Sequence, residues 1–374
     1  MQKGGSAMKI ALVAPLVSPM AEPFIGGAQA MVADLAQGLL ERGHHVTLFA
    51  RAGSFVPGVS IEEVLVPESV RPSDFSVPGQ ERPVDAGFLA QANAFLELFL
   101  QLRLCKHEFD VIHSHAFDWP AFACSAIVQE IPVMHTVHLT AISPEINEGL
   151  RALHQQRHPL TLVTVSQSCA HSYADYTPFD YVIYNGVDLD AIPFAPRVAD
   201  DAPLLFAGRI SPEKGVAEAI EIARRAGRSL LIAGGIYDRC YYEEQIVPLL
   251  QQERERVTYL GHLERAALWK VMGRSLGLLF PIAWDEPFGL VLVEAMATGT
   301  PVIAFEGGAA SEVFRHGETG FLIASKDCAR AAALVNELPS LARARCRAHV
   351  AENFSLVYML DAYEHAYGEI VFGL

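Results

Sequence analysis

The sequence predicts an α/β protein of two doubly wound domains, each on its own parallel sheet. Three observations carry that expectation. Short runs rich in Val, Ile and Leu alternate with longer amphipathic stretches along nearly the whole chain, as β-α units covered on both faces require. The alternation breaks once, between Ala191 and Pro203, where Pro193, Pro196, Pro203 and the acidic pair Asp200–Asp201 read as a linker. Finally, 374 residues exceed what one core of ordinary size takes in.

In chain order, the first strand is read at Ile10 to Val13. A Gly26-Gly27 turn follows, then a helix from about Ala28 to Glu41 that Gly43 stops. Val46 to Phe49 is the second strand. Val111–Ile112, Val133–Thr136, Leu162–Val165 and Val182–Ile183 complete the first set. The second set runs Leu204–Ala207, Leu230–Ala233, Val257–Leu260, Leu278–Phe280 and Val302–Ala304. Residues 8–192 and 203–355 are the expected domains. The amphipathic tail from Leu356, within 356–374, is expected to pack back on the first. Pro67 to Asp85 reads as a long aperiodic loop, and such loops are often functional.

The composition, 51% hydrophobic and 19% charged, is that of a well-buried protein. A formal net charge of -15 argues against nucleic-acid binding and against docking on anionic lipid. The six cysteines are scattered without a C-x-x-C pair, as expected of reduced thiols in a cytoplasmic protein. No apolar run is long enough to span a membrane, and the polar stretch before Met8 reads as an appended one rather than a signal peptide.

Four segments carry chemistry. In Trp284-Asp285-Glu286-Pro287-Phe288-Gly289-Leu290, Pro287 suits a helix start, so that Phe288, Gly289 and Leu290 offer first-turn amides to a phosphate. Glu294 then falls among apolar neighbours, where a carboxylate needs a partner: a ribose diol or a buried cation. In the second segment, Gly208-Arg209-Ile210-Ser211-Pro212-Glu213-Lys214-Gly215, two cations follow a strand end, where open α/β sheets bind ligands. Arg209 and Lys214 suit a diphosphate that gains charge as a bond breaks; the alternative is a solvated loop with Glu213 pairing Lys214. The third, Gly26-Gly27, precedes a helix but is not the G-x-G-x-x-G of dinucleotide folds. The fourth is histidine at strand ends, His113-Ser114-His115 and His135-Thr136-Val137-His138. Beyond its strand, His115 would enter a cleft; core histidines and a metal site are the competing readings.

Together these segments resemble the retaining glycosyltransferases of family four, which have the GT-B fold of two Rossmann-like domains facing a cleft. The matching pieces are Gly26-Gly27, His113-Ser114-His115, Asn185-Gly186-Val187-Asp188, Gly208-Arg209 with Lys214-Gly215, Gly307-Gly308, Glu312-Val313, and Glu286 and Glu294 in an E-x7-E arrangement. The resemblance implies a nucleotide-sugar donor, a UDP-sugar by family preference, and an unidentified hydroxyl acceptor, with no cofactor and no metal. It places the diphosphate on Arg209, Lys214 and the amides near Gly289, the ribose on Glu294 and the transferred sugar on Glu286 and His115. Gly27 would approach the phosphates or the acceptor from the first domain, and His138 falls on the acceptor side. It further implies front-face attack, the departing phosphate taking the acceptor's proton. A sugar phosphorylase, a nucleotide-sugar epimerase, a nicotinamide oxidoreductase and a non-catalytic sugar-nucleotide binder are the other readings.

Overall fold

A computed structural model describes residues 7–66, 86–141, 143–155 and 160–373. The Pro67 to Asp85 loop and the first six residues, singled out above, lie outside the described residues. The chain divides into two compact units, one of residues 1–21, 28–184 and 359–374, the other of 22–27 and 185–358.

The first unit runs β1 (Lys9–Val13), α1 (Gly27–Glu41), β2 (His45–Arg51), β3 (Ser60–Val64), α2 (Ala86–Leu104), β4 (Val111–Ser114), α3 (Trp119–Ser125), β5 (Val133–Val137), α4 (Pro144–Gln155), β6 (Leu160–Thr164), α5 (Gln167–Ser172) and β7 (Tyr181–Val182). All seven strands are parallel, in the order β3-β2-β1-β4-β5-β6-β7. The near-continuous apolar runs follow from that placement: Val13, Ile112 and Val133 are buried beneath Phe95 and Phe99 of α2.

The second unit holds β8 (Leu204–Ala207), α6 (Val216–Ala226), β9 (Leu230–Ala233), α7 (Arg239–Tyr241), α8 (Val247–Gln252), β10 (Val257–Tyr259), α9 (Arg265–Arg274), β11 (Gly277–Phe280), α10 (Leu290–Ala297), β12 (Val302–Phe305), α11 (Ala310–Val313), β13 (Gly320–Ile323), α12 (Cys328–Leu334) and α13 (Arg343–Asn353). Its six parallel strands are ordered β10-β9-β8-β11-β12-β13. Leu204, Phe206, Ile232, Ile303 and Phe305 build its core with Ile220 and Ala223 of α6.

The last helix, α14 (Leu356–Phe372), has its residues from Met359 onward in the first unit. Tyr363 and Tyr367 are fully buried there. In both sheets the chain builds outward from one central strand, then restarts on that strand's other side. The restart lies between β1 and β4 in one sheet and between β8 and β11 in the other. Loops leaving such neighbouring strands diverge at their carboxyl ends, which opens a crevice for ligands.

Two strands were not read from the sequence. β3 (SIEEV) is a mostly polar strand at the sheet edge, and β13 (GFLI) is a short apolar run of four residues.

Candidate active site

β8 and β11 are hydrogen-bonded neighbours, so their outgoing loops start side by side. After β8 the chain makes one 3-10 turn, Pro212–Lys214, closed by Gly215 at φ 75°. A Cβ at 215 would stand 1.9 Å from the Pro281 carbonyl oxygen, so only glycine allows this approach. The contact seats Lys214 against the loop of β11. Its Nζ lies 2.7 Å from Glu286 Oε2 and 4.8 Å from the centre of the Trp284 ring. Trp284 Nε1 donates to the same Oε2 at 2.8 Å. The Lys214 and Glu286 side chains are 14% and 15% exposed, well short of a solvated surface pair. The Gly307-Gly308 turn fixes the loop from below: the Ala309 N–H donates to the Glu286 carbonyl at 2.8 Å. A Cβ on Gly308 would lie 2.1 Å from that oxygen.

Arg209 stands apart from this pair. Its guanidinium lies 4.4 Å over the Tyr237 ring and 3.6 Å from Glu213 Oε1. Ser211 Oγ donates to that same oxygen at 2.6 Å. Glu213 therefore pairs with Arg209, and the alternative of a Glu213–Lys214 pair is corrected: the 3-10 turn directs Lys214 toward β11 instead. Tyr237 arrives from the loop after β9, which touches that of β8. A Cβ on Gly234 would stand 1.8 Å from the Gly208 carbonyl oxygen.

The start of α10 also differs from expectation. Gly289 has φ 86° and is the N-cap, and the helix begins at Leu290, not at Pro287. The Leu292 N–H returns to the Gly289 carbonyl at 2.9 Å, leaving Leu290 and Val291 as the leading amides. The left-handed glycine displaces the start by a turn, and Phe288 is a buried side chain facing Phe354. Glu294, mid-helix, is 7% exposed. Its Oε1 accepts from Trp269 Nε1 at 3.1 Å and from Arg265 Nε at 3.4 Å. Arg265 lies 4.9 Å over the Trp269 ring. The segment Glu22–Gly27 belongs to this unit too. Glu22 accepts from the Arg265 N–H at 3.2 Å, and a Cβ on Gly27 would meet Leu290 Cβ at 3.4 Å.

The histidines lie in the first unit. His113, on β4, is held by Tyr367 Oη at Nδ1 (2.6 Å) and Thr136 Oγ1 at Nε2 (2.8 Å). His115 places its ring 3.9 Å from that of His113 and its Nδ1 3.1 Å from His138 Nε2. His115 lies one residue past the end of β4, as expected, but the open cleft is corrected: the residue is fully buried between the other two rings. Its Nε2 has no hydrogen-bond partner among the described residues. Burial first, and the neighbouring imidazoles second, push His113 and His115 well below the ordinary histidine range. Burial takes His138 down to about 3. All three are neutral at pH 7. Among the described residues no group of three or more His, Cys, Asp or Glu is arranged to hold a metal ion.

Sequence reasoning singled out both glutamates but missed their partners Trp284, Trp269 and Arg265, and the Tyr237 beneath Arg209. Trp284 lies two residues before Glu286 and could have been noticed. Arg265 and Trp269 share one face of α9 by their i,i+4 spacing, yet nothing in the sequence couples that face to α10.

Two family models match this chain. One, Glycosyltransferase Family 4, covers residues 25–191, and the other, Glycosyl transferases group 1, covers 190–353. The chain is 29% identical over 365 residues to a glycogen synthase of Mycobacterium tuberculosis, covering 87% of this chain and 86% of that protein. It is 29% identical over 347 residues to a phosphatidyl-myo-inositol mannosyltransferase of Mycobacterium leprae, covering 88% and 87%. Among solved structures it resembles Anabaena Alr3699/HepE in complex with UDP-glucose. The TM-score is 0.74 at 20% identity, over 97% of this chain and 100% of that one. The fold is accordingly that of the GT-B glycosyltransferases.

Proposed function

We propose that this chain, which belongs to the family 4 glycosyltransferases, moves a hexosyl group from a UDP-sugar to a hydroxyl acceptor with retention of anomeric configuration. One observation carries the reading: Lys214 and Glu286 meet at 2.7 Å beside the restart of the second sheet, with Arg209 on the same loop. Two cations and a largely buried carboxylate at the carboxyl end of a parallel sheet suit a phosphate group and a sugar hydroxyl.

The chemistry follows from charge. As the sugar's C1–O bond breaks, its electron pair goes to the nucleoside diphosphate. Arg209 and Lys214 gain interaction energy with that leaving group as the charge grows, so they lower the barrier rather than merely tightening the ground state. The acceptor oxygen bonds to C1 on the same face, and its proton passes to the departing phosphate oxygen. Glu286 accepts hydrogen bonds from sugar hydroxyls, and Glu294 from the ribose. Two cations and the leading amides of α10 take the work a divalent ion does elsewhere. On this reading the second unit binds the donor and the first the acceptor, with His138 on that side. HepE has been crystallised with UDP-glucose, which favours uridine as the base. The two relatives differ in the acceptors their names imply, so the acceptor here stays at the level of a hydroxyl.

Thermal shift against UDP, GDP, ADP and dTDP tests the reading. At one hundred times its dissociation constant, UDP should add about 2.7 kcal/mol of stability. A melt unmoved by all four nucleotides would remove the proposal.

A further inference from the structure

The two candidate glutamates are held in the same way by different elements. Glu286, in the loop after β11, takes Lys214 Nζ and Trp284 Nε1 on one oxygen, and Lys214 lies over the face of Trp284. Glu294, on α10, takes Arg265 Nε and Trp269 Nε1 on one oxygen, and Arg265 lies over the face of Trp269. Each carboxylate thus takes a cationic and a neutral donor on one oxygen, and the neutral donor's ring is also the platform for the cation. The chain has three tryptophans, and two of them serve these carboxylates.

We propose that Trp284 and Trp269 are positioning residues that keep Glu286 and Glu294 in place when their cations turn to the donor's phosphates. This deepens the donor reading given above and rests on it. A lysine that neutralises Glu286 is also a ligand for an anionic diphosphate, and one ammonium cannot hold both at full strength. If Lys214 alone fixed the carboxylate, phosphate binding would release it. The indole N–H carries no charge, so an anion draws it off far less, and its rigid ring has only two side-chain torsions to order. The hydrogen bonds described at Glu286 all use Oε2, so on the proposed reading Oε1 is the oxygen left for a sugar hydroxyl, with the carboxylate plane already set. The ring beneath the ammonium keeps the lysine near when it is not on Oε2. The same logic makes Arg265 a further donor-binding cation, paired in the unliganded protein with Glu294.

The test uses the full chain and Trp→Phe substitutions, which keep an aromatic face and remove the N–H. Proton–nitrogen spectra resolve three indole signals, assigned with Trp284→Phe and Trp269→Phe. Glu286→Gln should move the Trp284 signal alone and Glu294→Gln the Trp269 signal alone. The activity arm follows release of nucleoside diphosphate from whichever of UDP-, GDP-, ADP- and dTDP-glucose the wild type consumes. Trp284→Phe should lower kcat about 10- to 100-fold, the scale of one charge-assisted hydrogen bond, with the dissociation constant of that nucleoside diphosphate within twofold. In a Glu286→Ala background the same substitution should cost less than about twofold, because the acceptor of its N–H has gone. A merely structural tryptophan would give additive losses in both backgrounds and weaken the nucleoside diphosphate equally. Additive losses, or indole signals indifferent to the glutamates, overturn the proposal. If no nucleotide sugar is consumed, the donor reading is what fails, and the indole signals still decide the pairing.

Discussion

Glu294 shows how one residue can be pulled by structure and function at once. The carboxylate is buried at 7% exposure and already accepts from Trp269 and Arg265. A ribose diol would therefore join an occupied group rather than rescue a bare one. Glu294→Gln separates the two roles, since the amide oxygen still accepts from the indole and the guanidinium while the charge is gone. The unliganded protein should lose less than about 3 kcal/mol, below the usual loss on deleting one partner of a buried pair. UDP should bind about 1.5–3 kcal/mol more weakly by calorimetric titration, the scale of charged hydrogen bonds. The ribose assignment has its own control: removing the 2′-hydroxyl from the nucleotide should weaken binding to the wild type and hardly matter in the variant. An equal penalty for the deoxynucleotide in both proteins would detach Glu294 from the ribose.

Among elements, α14 illustrates an anchor whose two edges differ in worth. On its outer edge Arg42 pairs with Asp361 and Glu364, and His44 Nε2 lies 2.8 Å from Glu364. On its inner edge Tyr367 binds His113 at 2.6 Å and Tyr363 reaches Thr136 at 3.2 Å, all fully buried. Part-exposed ion pairs contribute little, whereas stripping a buried imidazole of its partner exposes the full desolvation penalty. Tyr367→Phe should therefore cost about 1–3 kcal/mol in urea unfolding and Glu364→Gln under about 1. The reverse order would make the ion pairs the anchor. Sequence reading located this helix at Leu356, and most strands to within two residues, because fully buried parallel strands are plain apolar runs. It lost β3, where an edge strand needs no such run, and the four-residue β13, and it started α10 a turn early, because a proline is an equally good lead-in to a left-handed glycine. The site was legible where chemistry sits on one segment, as with Lys214, Glu286 and Glu294. It was not legible where partners converge from separate elements: Trp269 on α9 meets Glu294 on α10 only once the two helices pack.

At the scale of the molecule, the titrating core is concentrated in one unit. His113, His115 and His138 all lie in the first unit with their protonation disfavoured, chiefly by burial. Each binds a proton more readily once unfolded, so each contributes stability that is complete above about pH 6.5, the unfolded value, and is lost as pH falls toward the folded one. Asp118, pushed up by burial to about 7, acts in the opposite sense: it holds a proton in the folded state that the unfolded chain releases above about pH 4. Three histidines against one carboxyl leave two net protons taken up on unfolding between about pH 4 and 6.5, or at most about 2.7 kcal/mol lost per pH unit. In the second unit His349 shifts in the histidine sense from a partly buried position, a smaller effect. Acid should therefore melt the first unit before the second. The tryptophans report this separately, because Trp119 lies in the first unit and Trp269 and Trp284 in the second. With Trp119→Phe, fluorescence follows the second unit alone. Its urea midpoint should move little between pH 7.5 and 5, while far-ultraviolet circular dichroism of the same samples develops an earlier transition. Gln in place of His138 keeps a hydrogen-bonding side chain that does not titrate, and should flatten that early transition by up to about 1.4 kcal/mol per pH unit. A single transition with the same pH dependence in both signals would mean that these buried imidazoles do not set the acid limit of the fold.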